Sequence, residues 1–214
     1  NAKNRILRFS DDNFGIIKHD LEVAKYIRKC FDKYKYPVAL KVYSAKKQND
    51  RIREVGLILK PLMTYCVSFQ TTTPKVLKET IRISATHKEA VESINYARKN
   101  GMSTATELIF GLPHETRDGF IDLMNRSIDR GFDTVKVNNL FVMDGIELNR
   151  PAVRKKYGIK TKFRLLGTNY GAHNGNFLAE HEEVVVSSNS FTYDDFLEMR
   201  GLNFIHFAVF SLHF

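Results

Sequence analysis

Strands and helices alternate through most of this chain, and no two neighbouring strands are joined by a turn short enough for a hairpin. Apolar runs at Ile6–Ser10, Val38–Tyr43, Tyr65–Phe69, Ser103–Phe110 and Thr134–Phe141 read as strands. Between them, apolar residues recur at helical spacing: Val23, Ala24, Ile27 and Phe31, then Ile52, Val55 and Leu59, then Ala90, Ile94 and Ala97, then Phe120, Leu123 and Ile128. Antiparallel neighbours need only a tight turn, whereas a parallel crossover needs about a helix of chain. The alternation therefore predicts an α/β fold with a parallel sheet, either a barrel or doubly wound. Pro37 and Pro61 stop helices, Asp50 is placed to cap one, and Pro74 suits a first helical position. Thr86 with Glu89 forms a capping box, and Gly101 and Gly131 close helices.

Polar residues collect where these strands end: Asp11, Asp12 and Asn13, Ser44, Gln70 and Thr71, then Gly111, Pro113 and Glu115. Strand ends on one rim are where α/β proteins bind ligands. The stretch Glu107-Leu-Ile-Phe-Gly-Leu-Pro-His-Glu-Thr116 is the sharpest example: a buried strand, a stiff turn and a helix start. Gly111 lets a backbone approach a ligand closely, and Glu115 reads as a charge at a helix N-terminus. Asp11 and Asp12 suit a turn, and equally suit an ammonium group.

After Phe141 the pattern changes. A short helix follows Pro151 and ends at Gly158, Gly167–Gly175 is loop-like, and Glu183–Ser187 reads as an edge strand. Thr192 with Asp195 opens a last helix carrying Phe196, Met199 and Leu202. The expected division is 1–148 and a C-terminal α/β extension, 149–214. Both chain ends read as interior sequence rather than natural termini. Lys+Arg 33 against Asp+Glu 24 gives a net charge of +9, which points to a solvated basic surface or an anionic partner. No basic block is interleaved with aromatics, which disfavours nucleic acid. The two cysteines, Cys30 and Cys66, form no CxxC pair and suggest no metal site. Lone thiols in apolar settings, no signal peptide and no membrane-spanning run predict a cytoplasmic protein.

Taken together, these motifs resemble the barrel of radical SAM enzymes, and more narrowly those that also carry a cobalamin-binding domain. The carrying segments are ILRFSDDNFG, SFQTTTPKVLKETIR, ELIFGLPHET and VKVNNLFVMDGIEL, in order and at strand–helix spacing, with EEVVVSSNSFTYDDFLEMR similar to the region after the barrel. The resemblance implies a partial TIM-type (β/α) barrel with sequential parallel strands. It implies that Asp11, Asp12, Gln70, Thr71, Arg82, Ile109, Phe110, Gly111 and Pro113 border S-adenosylmethionine, and that Asn138, Asn139 and Asp144 face a substrate. For the parent enzyme it implies a 4Fe–4S cluster, reductive cleavage of S-adenosylmethionine, and methyl transfer through cobalamin. The family's CxxxCxxC is missing here, so no catalytic or metal-binding residue is assigned and the chain by itself is expected to be inactive. The substrate, a small molecule, lipid or sugar, is not specified by these residues. An exposed edge beside Ile6–Ser10 predicts self-association. Two other readings stay open: a cofactor-free α/β-barrel lyase, and a basic non-catalytic binding module.

Overall fold

The computed structural model describes residues 5–43, 49–67, 71, 73–80 and 87–211. Its order is β1 (Ile6–Arg8), α1 (Lys18–Tyr34), β2 (Ala39–Lys41), α2 (Asp50–Leu59), β3 (Tyr65–Cys66), α3 (Pro74–Thr80), α4 (His87–Lys99), β4 (Thr104–Phe110) and α5 (Arg117–Asp129). Then come β5 (Thr134–Asn139), β6 (Phe141–Val142), α6 (Pro151–Tyr157), β7 (Lys160–His173), β8 (Asn176–Ser187) and α7 (Tyr193–His206). Two compact units emerge, residues 1–72, 83–108 and 124–136 in one, and 73–82, 109–123 and 137–214 in the other. Gln70, Arg82 and the expected cap at Thr86 lie outside the described residues.

The first unit is α/β with parallel pairing. β1 runs parallel to β2, with Ile6 opposite Ala39, and β3 runs parallel to β4, with Tyr65 opposite Thr104. The five expected strands do not form one continuous sheet among the described residues: β1–β2 is one sheet and β3–β4–β5 another. The break has a local cause. Leu40 N donates to Leu62 O at 2.7 Å, so a turn rather than a strand meets β2 there. Phe14, Ala24, Ile27, Leu40, Val55, Leu59, Leu62 and Met63 form one apolar cluster under α1 and α2. Each fully buried Leu, Ile, Val, Met or Phe side chain of this cluster contributes about 1.5–3 kcal/mol. Asn49, not Asp50, caps α2, its Oδ1 accepting from Ile52 N at 2.9 Å. Asp133 ties the start of β5 to β4: its Oδ2 accepts from Thr104 N and Oγ1, both at 2.7 Å, and Thr104 Oγ1 accepts from Asp133 N.

The second unit departs most from expectation. The span read as a strand through Phe141 splits into β5 and β6, and β6 joins a separate antiparallel sheet of order β6–β8–β7. Gly167–Gly175, expected to be a loop, lies largely inside β7. The turn is the two residues Asn174 and Gly175 between the paired His173 and Asn176, both with positive φ, at 50° and 78°. That is the backbone of a two-residue hairpin turn, which an Asn-Gly pair accepts at little steric cost. Thr192 caps α7 with Asp195, as the spacing predicts. No helix among the described residues is long and apolar enough to cross a membrane.

Candidate functional site

In the first unit, the loop after β1 is shaped by carboxylates. Asp11 Oδ1 accepts from Asn13 N at 2.8 Å, which closes a small turn and leaves its second oxygen clear of that bond. Asp11 and Asp12 are both exposed. The buried carboxylate is Asp20, whose Oδ2 accepts from Gly15 N at 2.8 Å and Ile17 N at 3.1 Å. Asp20 was not among the expected site residues; its position three residues after Ile17, at the start of a helical run, was the available signal. Thr71 is fully buried and engaged.

A second polar group lies on the less buried face of β4. Burial alternates along that strand, with Thr104, Thr106, Leu108 and Phe110 buried and Ala105, Glu107 and Ile109 half-buried. Lys136 Nζ donates to Glu107 Oε1 at 2.9 Å, with the two side chains 50% and 29% exposed. Cys66 is the neighbour of Ala105 across the ladder. Burial, then the Glu107 charge, pushes its thiol up to about 12, against the opposing effect of Lys136. For Lys136, desolvation favours the neutral amine, but the hydrogen bond and charge of Glu107 outweigh it and the ammonium is held above the ordinary lysine range. A Schiff-base lysine requires the opposite shift, so Lys136 gives the lyase reading no support.

In the second unit, Gly111 stands at φ 103°. A Cβ there would lie 3.3 Å from Leu140 Cβ and 3.7 Å from Phe191. Close packing within the protein thus accounts for the glycine without a ligand. Phe110 is buried, its ring 5.0 Å from Phe120 and 4.9 Å from Phe191, and its carbonyl accepts from Leu140 N at 2.8 Å. Pro113 is buried and Ile109 half-buried. Glu115 is fully buried just before α5, where a carboxylate suits the helix N-terminus, and accepts from Thr73 Oγ1 at 3.1 Å. Thr116 Oγ1 accepts from Gly119 N at 3.1 Å and caps the helix. His114 takes a positive φ and packs edge-on against Tyr157.

Of the expected substrate residues, Asp144 lies in a cleft of about 380 Å³ with Phe141, Met143, Phe163, His181, Glu182 and Glu183. Its carboxylate accepts from Asn149 Nδ2 at 3.3 Å. Glu182 is paired with Arg164, and Glu183 with Arg154, whose hydrogen bond holds the Glu183 carboxyl below the usual range. Asn138 and Asn139 are half-buried on β5 and are not among that cleft's lining residues. No group of three or more His, Cys, Asp or Glu side chains suited to a metal occurs among the described residues.

No protein-family model matches the chain. Over 207 residues, 92% of its length, it is 29% identical to the cobalamin-dependent radical SAM methyltransferase TokK of Streptomyces tokunonensis. Over an equal span it is 28% identical to the 2-(S-pantetheinyl)-carbapenam-3-carboxylate methyltransferase of Streptantibioticus cattleyicolor. The chain spans about 30% of the length of each of these relatives. Among solved structures it is similar to the radical S-adenosylmethionine methyltransferase TsrM of Kitasatospora setae, with cobalamin and a [4Fe-4S] cluster bound. That likeness has a TM-score of 0.57 at 15% identity and covers 91% of this chain and 43% of the other. A second TsrM structure, with tryptophan and a SAM analogue, gives a TM-score of 0.51 at 15% identity over 83% of this chain and 39% of that one. The fold is thus radical-SAM-like, and the sequence resembles two methyltransferases, one of them a cobalamin-dependent radical SAM enzyme.

Proposed function

We propose that the chain is the α/β portion, an incomplete (β/α) barrel, of a radical SAM methyltransferase of the cobalamin-dependent kind. The observation that carries this reading is the match to both curated methyltransferases along 92% of the chain. The parallel pairing of β1 with β2 and of β3 with β4 supports it. When bound, S-adenosylmethionine would supply the adenosyl radical and methyl chemistry. The chain's own part is to hold and orient it. Asp11 and Asp12 are exposed carboxylates of the right chemistry for the methionine ammonium group. Gln70, Thr71 and Arg82 would meet the ribose and carboxylate, and the Ile109–Gly111 backbone with Pro113 the adenine. Asn138, Asn139 and Asp144 would face the substrate.

The cluster does not fit the residues present. Three thiolates are needed, and the chain carries two cysteines, one on α1 and one on β3. The Cys66 thiol is also held protonated. Titration calorimetry with S-adenosylmethionine tests the reading without turnover. The 214-residue chain is expected to bind it weakly, and Asp11→Ala with Asp12→Ala to weaken it roughly tenfold further, as loss of a charge-assisted hydrogen bond implies. Absence of saturable binding, or binding indifferent to that double substitution, refutes it. After reconstitution with iron and sulfide, dithionite should yield no 5′-deoxyadenosine.

A further inference from the structure

A second cleft in the C-terminal unit, of about 610 Å³, is lined by Gly158, by Lys160, Thr161 and Lys162 of β7, by Val186 and Ser187 of β8, and by Ser188, Asn189, Phe191, Thr192 and Tyr193 after it. Its volume falls within the usual range for small-molecule sites. The turn after β8 is firmly built. Asn189 N donates to Tyr157 O at 2.9 Å, Asn189 Nδ2 donates to Lys156 O at 3.1 Å, and Ser188 N donates to Phe191 O at 3.0 Å. Gly158 has φ 62°, and a Cβ there would collide with Asn189 Oδ1, so the glycine lets the turn seat against the end of α6.

What the cleft offers is one-sided. None of its lining residues is acidic. Neither Lys160 nor Lys162 pairs with a carboxylate among the described residues; Lys162 Nζ lies 4.0 Å over the Tyr193 ring, which holds the ammonium at the cleft wall. Arg164, further along β7, is by contrast neutralised by Glu182. Several other polar groups of the lining are already committed. Thr161 Oγ1 is taken by Arg154 and Glu183, and Thr192 Oγ1 by Asp195. The N-terminus of α7 is therefore capped and is not the donor. Among the described residues, the Lys160 ammonium, the Ser187 hydroxyl and the Tyr193 phenol make no hydrogen bond or ion pair, and the Lys162 ammonium makes only its contact with the Tyr193 ring.

We infer that this cleft binds a small dianion, a phosphomonoester whose apolar body meets the edge of the Tyr193 ring, which already carries Lys162 and stacks on Phe196. Two unpaired ammonium groups at one cleft match a dianion better than a single carboxylate. The cleft shares no residue with those assigned to S-adenosylmethionine, although its Phe191 packs against Phe110, and the proposal stands without that assignment. Phenyl phosphate, titrated calorimetrically into the full chain at low salt, is the probe. Saturable binding is expected, tighter than for benzoate, and roughly tenfold weaker in the Lys160→Ala/Lys162→Ala variant. A control, Lys25→Ala/Lys29→Ala, removes two exposed lysines of α1 and lowers the net charge of +9 equally. It should bind as the native chain does. Equal loss in both variants would show only diffuse attraction to a basic surface and overturn the proposal, as would no saturable binding by the native chain or no preference over benzoate. Circular dichroism on each variant separates lost binding from lost fold.

Discussion

Cys66 shows how a residue that looks reactive in a sequence is quieted by its surroundings. Its thiol pKa near 12 in the folded chain, against an ordinary value near 9, means that the unfolded chain releases a proton that the folded chain keeps. Folding stability must therefore fall as pH rises through that window. Tyr65, pushed up to about 12 by burial against the opposing charge and hydrogen bond of Arg53, acts in the same direction from about pH 10. Cys66→Ala should flatten the alkaline loss, by about 3 kcal/mol at pH 11, measured by urea unfolding at pH 8 and pH 11. Iodoacetamide at pH 8 should spare Cys66 until urea is added. Rapid native alkylation at Cys66 would contradict the half-buried, protonated thiol.

Among the elements, the β7–β8 hairpin depends on two residues of backbone geometry. Gly175 has φ 78°, and nothing lies within 4 Å of where its Cβ would be. Gly175→Ala should thus cost about 1 kcal/mol through conformation alone, without a clash. Thermal unfolding that is unchanged by the substitution would remove the strain argument. The same turn explains what the sequence concealed. Asn174–Gly175 is a strong hairpin signal, but Gly167, Gly171 and Gly175 together dilute the strand pattern and make the segment look like loop. The helices were legible because caps and periodicity agree: Pro74, Pro151 with Gly158, and Thr192 with Asp195 all bound helices as expected. The Glu107–Lys136 pair was not, because it joins residues from two strands through a register that only the folded sheet defines. Asp144 could be placed near a strand end from sequence, but its cleft is walled by Phe163 and His181, whose hairpin was unseen.

At the scale of the molecule, α7 carries two unlike sides. Phe196, Met199 and His206 are buried, whereas Phe204 is 73% exposed and Ile205 is open, as are Phe207 and Val209 just beyond the helix. An apolar run of this kind favours association. Light scattering of the isolated chain should give a mass above 24.7 kDa, and Phe204→Ser with Ile205→Ser should bring it back to that value. If Ile6→Lys dissociates the chain instead, the β1 edge is the contact. The hairpin has a further consequence at this scale. Fourteen residues of β7 at about 3.4 Å each extend roughly 45 Å. Only its root is anchored in apolar packing, at Val184, Val185 and Val186, while Leu165, Tyr170, Phe177 and Leu178 lie open. Its amide protons should therefore exchange with solvent in a gradient, fastest around Ala172–Phe177 and slowest around Val184–Val186. The arm would open from its tip while the sheet at its base stays closed, so a protease would nick the tip without unravelling the unit that holds it.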